Sequence, residues 1–181
     1  KALSISTPTP IQSACITEIS KGKNVIGGAK TGSGKTAAFA LPILKALAED
    51  IYGPFALVLT PTRELALQLA EQFQALGKAV RISVTVVFGG VDMMKQASEL
   101  TRRPHIIIAT PGRLVDLLQS SSDCLDLKRL RFCVLDEADR LLDPSSTFQT
   151  LGEIPKILEA VGASKKCQTL LFSATLTASV M

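Results

Sequence analysis

A glycine-rich octapeptide carries the clearest chemical signal in the chain: Ala29-Lys30-Thr31-Gly32-Ser33-Gly34-Lys35-Thr36. Glycines at this spacing let consecutive backbone N–H groups point at phosphate oxygens, and the positive end of a following helix adds to the attraction. Lys35 supplies a charge to the β and γ phosphates, and Thr36 supplies a hydroxyl to Mg²⁺. The strict pattern has Gly where this chain has Ala29, and the alternative is a loop that only turns the chain. The apolar run before it and the helical pattern after it favour a phosphate site.

A second chemical signal is a group of carboxylates directly after an apolar run, namely Asp136, Glu137 and Asp139. Because ligands bind at the carboxyl ends of parallel strands, we expect this group to lie beside the phosphate loop. Asp136 then holds Mg²⁺, partly through water, and Glu137 orients and deprotonates the attacking water. The alternative is that these acids cap the helix that follows. Together the two motifs predict an ATPase with Lys35, Asp136 and Glu137 as catalytic residues.

The elements that must position these residues alternate along the chain. Short apolar runs predict strands at 24–27, 55–60, 83–88, 105–110, 132–136 and 169–173. Helical spacing connects them, for example over 62–76, and Pro42 is predicted to kink or end the helix that starts near Gly34. Most of the runs lack polar alternation, as buried parallel strands do. The pattern predicts an α/β fold, a mainly parallel sheet of six or seven strands with helices on both faces.

Composition narrows the class of protein. In 181 residues, 46% are hydrophobic and 20% charged, which excludes a disordered chain. The net charge of +4 permits an anionic partner without requiring one. Four Cys without CxxC spacing and a single His argue against a zinc site and favour reduced thiols in an intracellular protein. No apolar run is long enough for a membrane span, so we expect no membrane partner. The segments 120–123 and 144–147 are predicted to be surface loops.

Further segments follow a fixed order along the chain. Besides 29–36 and the DEAD tetrapeptide at 136–139, they are 8–12 (PTPIQ), 61–66 (PTRELA), 89–90 (GG), 110–113 (TPGR) and 173–175 (SAT). These seven segments resemble the Q motif, motifs I, Ia, GG, Ib and II, and motif III of the DEAD-box RNA helicases. The resemblance covers nearly the whole chain. It implies that residues 1–181 form the N-terminal RecA-like ATP-binding domain of a P-loop NTPase, with a C-terminal RecA-like domain outside this chain.

For the nucleotide, the resemblance adds residues upstream of the phosphate loop. The amide of Gln12 can pair with adenine N6 and N7, and in the family this Gln selects ATP over GTP. The residue matching Thr7 helps to hold the base. The alternative role for Gln12 is helix capping or a solvent contact. The family also has an upstream aromatic residue that stacks on adenine, and no aromatic residue precedes Pro8 here.

The resemblance implies that three other segments bind the sugar-phosphate backbone of single-stranded RNA. They are Pro61-Thr62-Arg63, Gly89-Gly90 and Thr110-Pro111-Gly112-Arg113. The two arginines can grip phosphates, and the glycines allow close approach of the backbone. Backbone contacts carry little sequence information, so we expect low sequence specificity. The alternative is structural: a helix cap at Thr62 and a turn at Thr-Pro-Gly.

The remaining implications concern coupling and biology. In the family, residues matching Ser173 and Thr175 bond to the acidic motif and couple hydrolysis to unwinding of short RNA duplexes. Asp139, three residues after Asp136, is expected to bridge to another strand end and to share in this coupling. Arginine fingers come from the second domain, so we expect this monomeric fragment alone to be weakly active. The phrases at 29–38 and 134–142 are similar to those of ribosome-assembly members, which implies a nuclear or nucleolar protein.

Two alternatives stay open on sequence grounds: a P-loop ATPase that acts on DNA or protein, and a non-catalytic nucleotide-binding module. After Asp143 the family pattern of a hydrophobic residue, Gly and Phe is replaced by PSSTF at 144–148. We assign no function to that segment.

Overall fold

The computed structural model describes residues 7–120, 124–143, 152–162, 164 and 166–175. The unusual segment at 144–148 lies outside these residues, as does the loop predicted at 120–123 except for Ser120, which ends a helix. Within the described residues, no helix is both long enough and apolar enough to cross a lipid bilayer.

Six strands form one sheet in the described part of the chain. They are β1 (Val25–Gly28), β2 (Ala56–Leu59), β3 (Val84–Val87), β4 (Ile106–Ala109), β5 (Phe132–Asp136) and β6 (Gln168–Ser173). Their order is β1-β6-β5-β2-β4-β3, and every neighbouring pair is parallel. Each predicted strand is present, with ends that differ by one residue at most.

Seven α-helices and one short 3₁₀ helix (Lys78–Val80) connect these strands within the described ranges. The α-helices are α1 (Pro10–Ser20), α2 (Lys35–Glu49), α3 (Arg63–Leu76), α4 (Met93–Thr101), α5 (Pro111–Ser120), α6 (Ala138–Leu141) and α7 (Glu153–Gly162). The predicted helix at 62–76 is α3, and Thr62 is its N-cap.

Pro42 does not end α2, contrary to one branch of the sequence prediction. The helix continues for seven residues beyond it, to Glu49, with Pro42 buried inside. Burial of apolar side chains on both sides of the proline, among them Phe39 and Leu47, offsets the loss of one helical hydrogen bond.

Two apolar layers hold helices against the two faces of the sheet. One layer joins α1, α2 and α3 to the alternate strand residues that include Val58 and Val134. The other joins α4 to α7 to the residues between them, which include Leu57 and Cys133. The central strands are thus buried on both faces, which is why their sequences lack polar alternation. All six strands point the same way, so the predicted motifs collect at one edge of the sheet.

Candidate nucleotide site and nucleic-acid interface

The carboxyl edge of the sheet divides into two halves. The β1–β6–β5 half carries the phosphate loop, the acidic group and Ser173 to Thr175. The β2–β4–β3 half carries the segments at 61–63, 110–113 and 89–90. Sequence reasoning expected both sets at strand ends, and the strand order separates them in space.

A cleft of about 590 Å³ opens above the first half. The predicted nucleotide and catalytic residues on its wall are Thr7, Gln12, Thr31, Gly32, Gly34, Lys35, Thr36, Asp136 and Glu137. The other three residues of the phosphate loop, Ala29, Lys30 and Ser33, are not among its lining residues. The structure therefore brings most of the predicted set around one space of ligand size.

The phosphate loop owes its shape to two glycines with left-handed backbone. Gly32 has φ +79° and Gly34 has φ +89°, a region that other residues rarely adopt. Gly34 is also the N-cap of α2, and a Cβ there would lie 2.5 Å from Gln12 Nε2. The loop is tied to the sheet because Ala29 N–H donates to Ser173 O at 3.0 Å. These contacts place the N-terminus of α2 at the cleft, where its dipole favours phosphate.

Two polar side chains of this loop, Lys35 and Ser33, differ in their hydrogen bonding. Lys35 Nζ donates to Ala29 O at 2.6 Å, so the loop's own backbone holds the ammonium group at the cleft. The Ser33 hydroxyl is buried and has no hydrogen-bond partner among the described residues. A buried hydroxyl without a partner is costly, and this one does not reach the wall of the cleft.

Gln12 uses both ends of its amide inside the protein. Its Oε1 accepts from Thr9 N–H at 3.0 Å, which caps the start of α1, and its Nε2 donates to Gly34 O at 3.2 Å. The side chain is buried yet lines the cleft. The capping role weighed in the sequence analysis is thus present. The contact with adenine stays a prediction.

Asp136 ends β5 as a buried carboxyl, 7% exposed. Burial raises its pKa to about 6, against opposing contributions that include the nearby Lys35 charge. A divalent cation would stabilise the ionised form, and the Thr36 hydroxyl lines the same cleft. In the described ranges no group of three or more His, Cys, Asp or Glu side chains is placed to hold a metal alone. Thr36 and Asp136 together fit Mg²⁺, which takes one or two protein oxygens and completes its shell with water and phosphate.

Glu137 stands at the N-cap of α6 with left-handed backbone, φ 52° and ψ 50°. That conformation is strained for a residue with a Cβ, and such residues concentrate at functional sites. Its side chain makes no capping bond to α6; instead Oε2 accepts from Arg140 Nη1 at 2.7 Å. The helix-cap alternative therefore does not describe its side chain, which lies at the cleft beside Asp136.

Asp139 links the acidic group to the strand next to it. Its Oδ2 accepts from Thr175 Oγ1 at 2.7 Å and from Thr175 N–H at 3.2 Å. Burial opposes ionisation, but bonds from Thr175 and Ser173 outweigh it and lower the pKa of Asp139. The expected bridge from Asp139 to another strand end is present, and its coupling role stays a prediction.

In the β2–β4–β3 half, the first predicted nucleic-acid segment is a helix start. Thr62 Oγ1 accepts from Leu65 N–H at 3.3 Å, so the capping alternative holds for its side chain. Arg63 is exposed, and its guanidinium carbon lies 4.6 Å from the centre of the Phe88 ring. The Arg63 charge is thus held in place by an aromatic face, a weak attraction that leaves its N–H groups available.

The second and third segments contact one another. Gly89 and Gly90 are exposed in the turn after β3, and Gly90 has φ +82°. Arg113, on α5, donates from Nη1 to Val91 O at 2.7 Å and to Gln96 Oε1 at 3.1 Å. Only 14% of the Arg113 side chain is exposed. Its observed bonds are internal, and a phosphate contact by this residue stays a prediction.

A carboxylate lies close to the start of α5. A Cβ on Gly112 would be 3.1 Å from Glu153 Oε1, at the beginning of α7. Burial, helped by the charge of Asp116, raises the pKa of Glu153. A side chain at position 112 would therefore require the Glu153 carboxylate to move by a few tenths of an ångström.

Comparison with known proteins decides the family. The family model described as DEAD/DEAH box helicase matches residues 9–181. The chain belongs to the DEAD/DEAH box helicase family. This confirms the family resemblance that the order of the seven segments carried.

Individual helicases of this family align over nearly the whole chain. The human "Probable ATP-dependent RNA helicase DDX49" is 56% identical over 177 residues, which are 98% of this chain and 36% of that protein. "ATP-dependent RNA helicase DBP8" of Debaryomyces hansenii is 55% identical over 181 residues, 99% of this chain and 40% of that protein. The chain thus spans about two fifths of the length of these relatives.

A solved structure gives the fold comparison. The "hypothetical ATP-dependent RNA helicase from Sulfolobus tokodaii" superposes with a TM-score of 0.84 at 37% identity, over 98% of this chain and 49% of that one. The predicted α/β, RecA-like parallel sheet is confirmed.

Sequence reasoning missed one wall of the cleft. Leu65, Gln68, Leu69 and Gln72 of α3 line it, although α3 begins in the other half of the edge. The spacing of 3, 1 and 3 places them on one helix face, which was the available signal. The sequence pattern over 62–76, to which Leu65 and Leu69 belong, predicts a helix but not a cleft wall.

Proposed function

We propose that the protein is an ATP-dependent RNA helicase and that residues 1–181 form its N-terminal RecA-like domain. The observation that carries this is the arrangement on one sheet edge: a cleft with paired acidic residues in the β1–β6–β5 half, beside exposed Arg63 and the exposed Gly89-Gly90 turn in the other half. Family membership agrees with it.

In the proposed reaction, ATP and water give ADP and phosphate. The phosphate loop and the N-terminus of α2 bind the triphosphate, and Lys35 lies beside it. Glu137 accepts the proton of the attacking water, and its bond to Arg140 fixes the carboxylate at the cleft. Gln12, with Thr7 at the same cleft, reads the adenine.

Thr36 and Asp136 would hold Mg²⁺, the second cofactor. When bound, the ion neutralises charge on the phosphate oxygens. The Thr36 hydroxyl and the Asp136 carboxylate line the same cleft as Glu137 and direct the terminal phosphate toward it. Because Asp136 is buried, water competes poorly for its carboxylate.

Single-stranded RNA is the proposed ligand of the β2–β4–β3 half. Exposed Arg63 meets a phosphate, and the amides near Gly90 and Gly112 meet others. Contacts to phosphates do not depend on the base sequence of the RNA. Contacts to 2′-hydroxyls would let the protein distinguish RNA from DNA.

A second RecA-like domain of the same protein is the proposed partner. It supplies arginine fingers, which are worth about 10³–10⁵ in rate in other phosphoryl-transfer systems. The isolated chain is therefore proposed to be a monomer that binds nucleotide, hydrolyses it slowly and does not unwind RNA. The subgroup likeness further supports a role in ribosome assembly, in the nucleus or nucleolus.

Steady-state ATP hydrolysis by the full-length protein tests the proposal. The rate is compared without nucleic acid, with single-stranded RNA and with DNA of the same sequence, and Glu137→Gln is the control. We expect stimulation by RNA alone, lost in the variant. Equal stimulation by DNA would replace the proposal by a different P-loop ATPase. No ATP-dependent rise in melting temperature would replace it by a nucleic-acid- or protein-binding module that keeps the loop only for folding.

A further inference from the structure

Gln96 is a buried amide that belongs to none of the seven segments. It lies on α4 with 3% of its surface exposed. Its Nε2 donates to Phe88 O at 3.1 Å, and its Oε1 accepts from Arg113 Nη1 at 3.1 Å. Both ends of the amide are thus used. Because an unpaired polar group in a buried position is expensive, these bonds define one arrangement rather than several.

The two bonds control a short turn. Phe88 O and Val91 O flank the Gly89-Gly90 pair, and Gln96 holds the first while Arg113 holds the second at 2.7 Å. Gln96 also fixes the guanidinium that makes the second bond. Gln96 therefore anchors the Phe88 end of the turn to α4. Arg113, which Gln96 holds in place, anchors the Val91 end to α5.

The turn itself faces outward. Both glycines are exposed, and a Cβ placed on either would meet no described protein atom within 4 Å. The ring of Phe88 lies under the Arg63 guanidinium, at 4.6 Å. All three segments assigned to RNA thus meet around Phe88 and Gln96.

We propose that Gln96 is a positioning residue for RNA binding, which holds the turn at Phe88 to Val91 in the conformation that presents Gly89 and Gly90 to the RNA backbone. The inference rests on the proposed function, because that function places RNA on this turn. A turn that is already ordered loses little conformational freedom when the ligand binds. Gln96 itself does not touch RNA in this account.

Gln96→Leu in the full-length protein tests the inference, since leucine keeps the apolar contacts and removes both bonds. We expect the RNA concentration for half-maximal ATP hydrolysis to rise about tenfold. The maximal rate at saturating RNA should stay within about twofold, because RNA at saturation restores the ordered turn. The affinity for a fluorescent ADP analogue, which binds in the other half, should not change.

Two further variants make the result specific. Gln96→Glu keeps an acceptor for Arg113 but cannot donate to Phe88 O, so its half-saturation should lie between those of the wild type and Gln96→Leu. Gln74→Leu removes an exposed amide from α3 and should match the wild type.

Unchanged half-saturation in Gln96→Leu would overturn the inference. So would a lower maximal rate at unchanged half-saturation, because that result means a smaller folded fraction and a merely structural role. A wild-type protein that RNA does not stimulate would overturn the proposed function and this inference with it. If RNA stimulates the wild type and Gln96→Leu has the same half-saturating RNA concentration, the inference is overturned and the proposed function stands.

Discussion

The two halves of the sheet edge differ in shape and exposure, although strand-to-helix connections build both of them. In the β1–β6–β5 half the loops enclose a cleft of about 590 Å³ and bring a buried carboxyl, Asp136, to its wall. In the β2–β4–β3 half the glycine pair is exposed, while Arg113 is turned inward onto backbone and an amide. Chemistry at a phosphate needs groups removed from water. Binding a long polyanion needs only a fixed outer surface.

Helix α3 is the element that both halves share. It begins at Thr62 and Arg63 in one half, and its face at Leu65, Gln68 and Gln72 lines the cleft of the other. A single rigid helix therefore connects the two surfaces. A substitution confined to one half should nevertheless change either ATP hydrolysis or RNA binding, and not both.

Lys35→Ala should have the largest effect and should stay on the nucleotide side. Loss of the cation beside the triphosphate should lower ATP hydrolysis by about 10²–10³-fold, as loss of a positioned donor does elsewhere. The Lys35 ammonium group bonds to Ala29 O within its own loop, so folding should survive. Hydrolysis assays and melting curves measure both. Lys45→Ala, an exposed lysine on the same helix, is the control, and equal losses in the two variants would contradict a local role.

Thr175→Val should separate hydrolysis from unwinding. The variant loses the 2.7 Å bond from the hydroxyl to Asp139, a charge-assisted hydrogen bond. We expect unwinding per ATP hydrolysed to fall about tenfold, since such a bond is worth roughly 1.5–3 kcal/mol. Strand-displacement and phosphate-release assays on the full-length protein give the ratio. Thr101→Val, at an exposed threonine that ends α4, should leave the ratio unchanged.

Arg63→Gln should weaken RNA binding alone. Removing one phosphate contact should lower the slope of log affinity against log salt by about 0.7, the value for single strands, and lower affinity several-fold. Fluorescence anisotropy of a labelled oligoribonucleotide over a salt series measures the slope. Arg102→Gln removes an exposed arginine next to the opposite edge of the sheet. A slope change as large in that control would mean that the charge effect is not local.

Sequence reasoning located strands and motifs well because both leave local signals. The 132–136 run matches β5 in full, and glycine spacing together with Lys35 and Thr36 predicts the phosphate loop. The DEAD tetrapeptide predicts the acidic group but not the left-handed backbone of Glu137, because a residue with a Cβ rarely adopts that conformation.

The residues that sequence reasoning missed act across the chain. Gln96 meets Phe88 and Arg113, which lie 8 and 17 positions away, so no spacing rule points to it. Pro42 is a local helix-breaking signal, yet α2 continues through it because tertiary burial outweighs that signal. A local rule therefore failed here too. The resemblance implies that Arg113 binds RNA, whereas its observed bonds are to Val91 O, before α4, and to Gln96 Oε1, on α4.

The smallest predicted effect concerns pH at the opposite edge of the sheet. His105 Nδ1 accepts from Ser83 N–H at 2.9 Å, and burial lowers the pKa of His105. The fold therefore favours neutral His105. Its contribution to stability is present above the ordinary pKa of 6.5 and is lost as pH falls through the lower folded value.

Urea unfolding at several pH values from about 7.5 to about 5, the range in which histidine ordinarily titrates, measures this loss of stability. His105→Asn offers an acceptor that does not titrate, so the wild type should lose more stability than the variant on acidification. Parallel pH curves for the two proteins would contradict the assignment.

RNA binding by Glu137→Gln in the full-length protein tests the division of labour most directly. With ATP present, the variant should hydrolyse about 10²–10⁴-fold more slowly, because the group that accepts the proton of water is gone. It should bind a labelled oligoribonucleotide as tightly as the wild type binds it with a non-hydrolysable ATP analogue. A variant that loses RNA affinity along with hydrolysis would contradict the account, because the two halves of the edge would then not be separate sites.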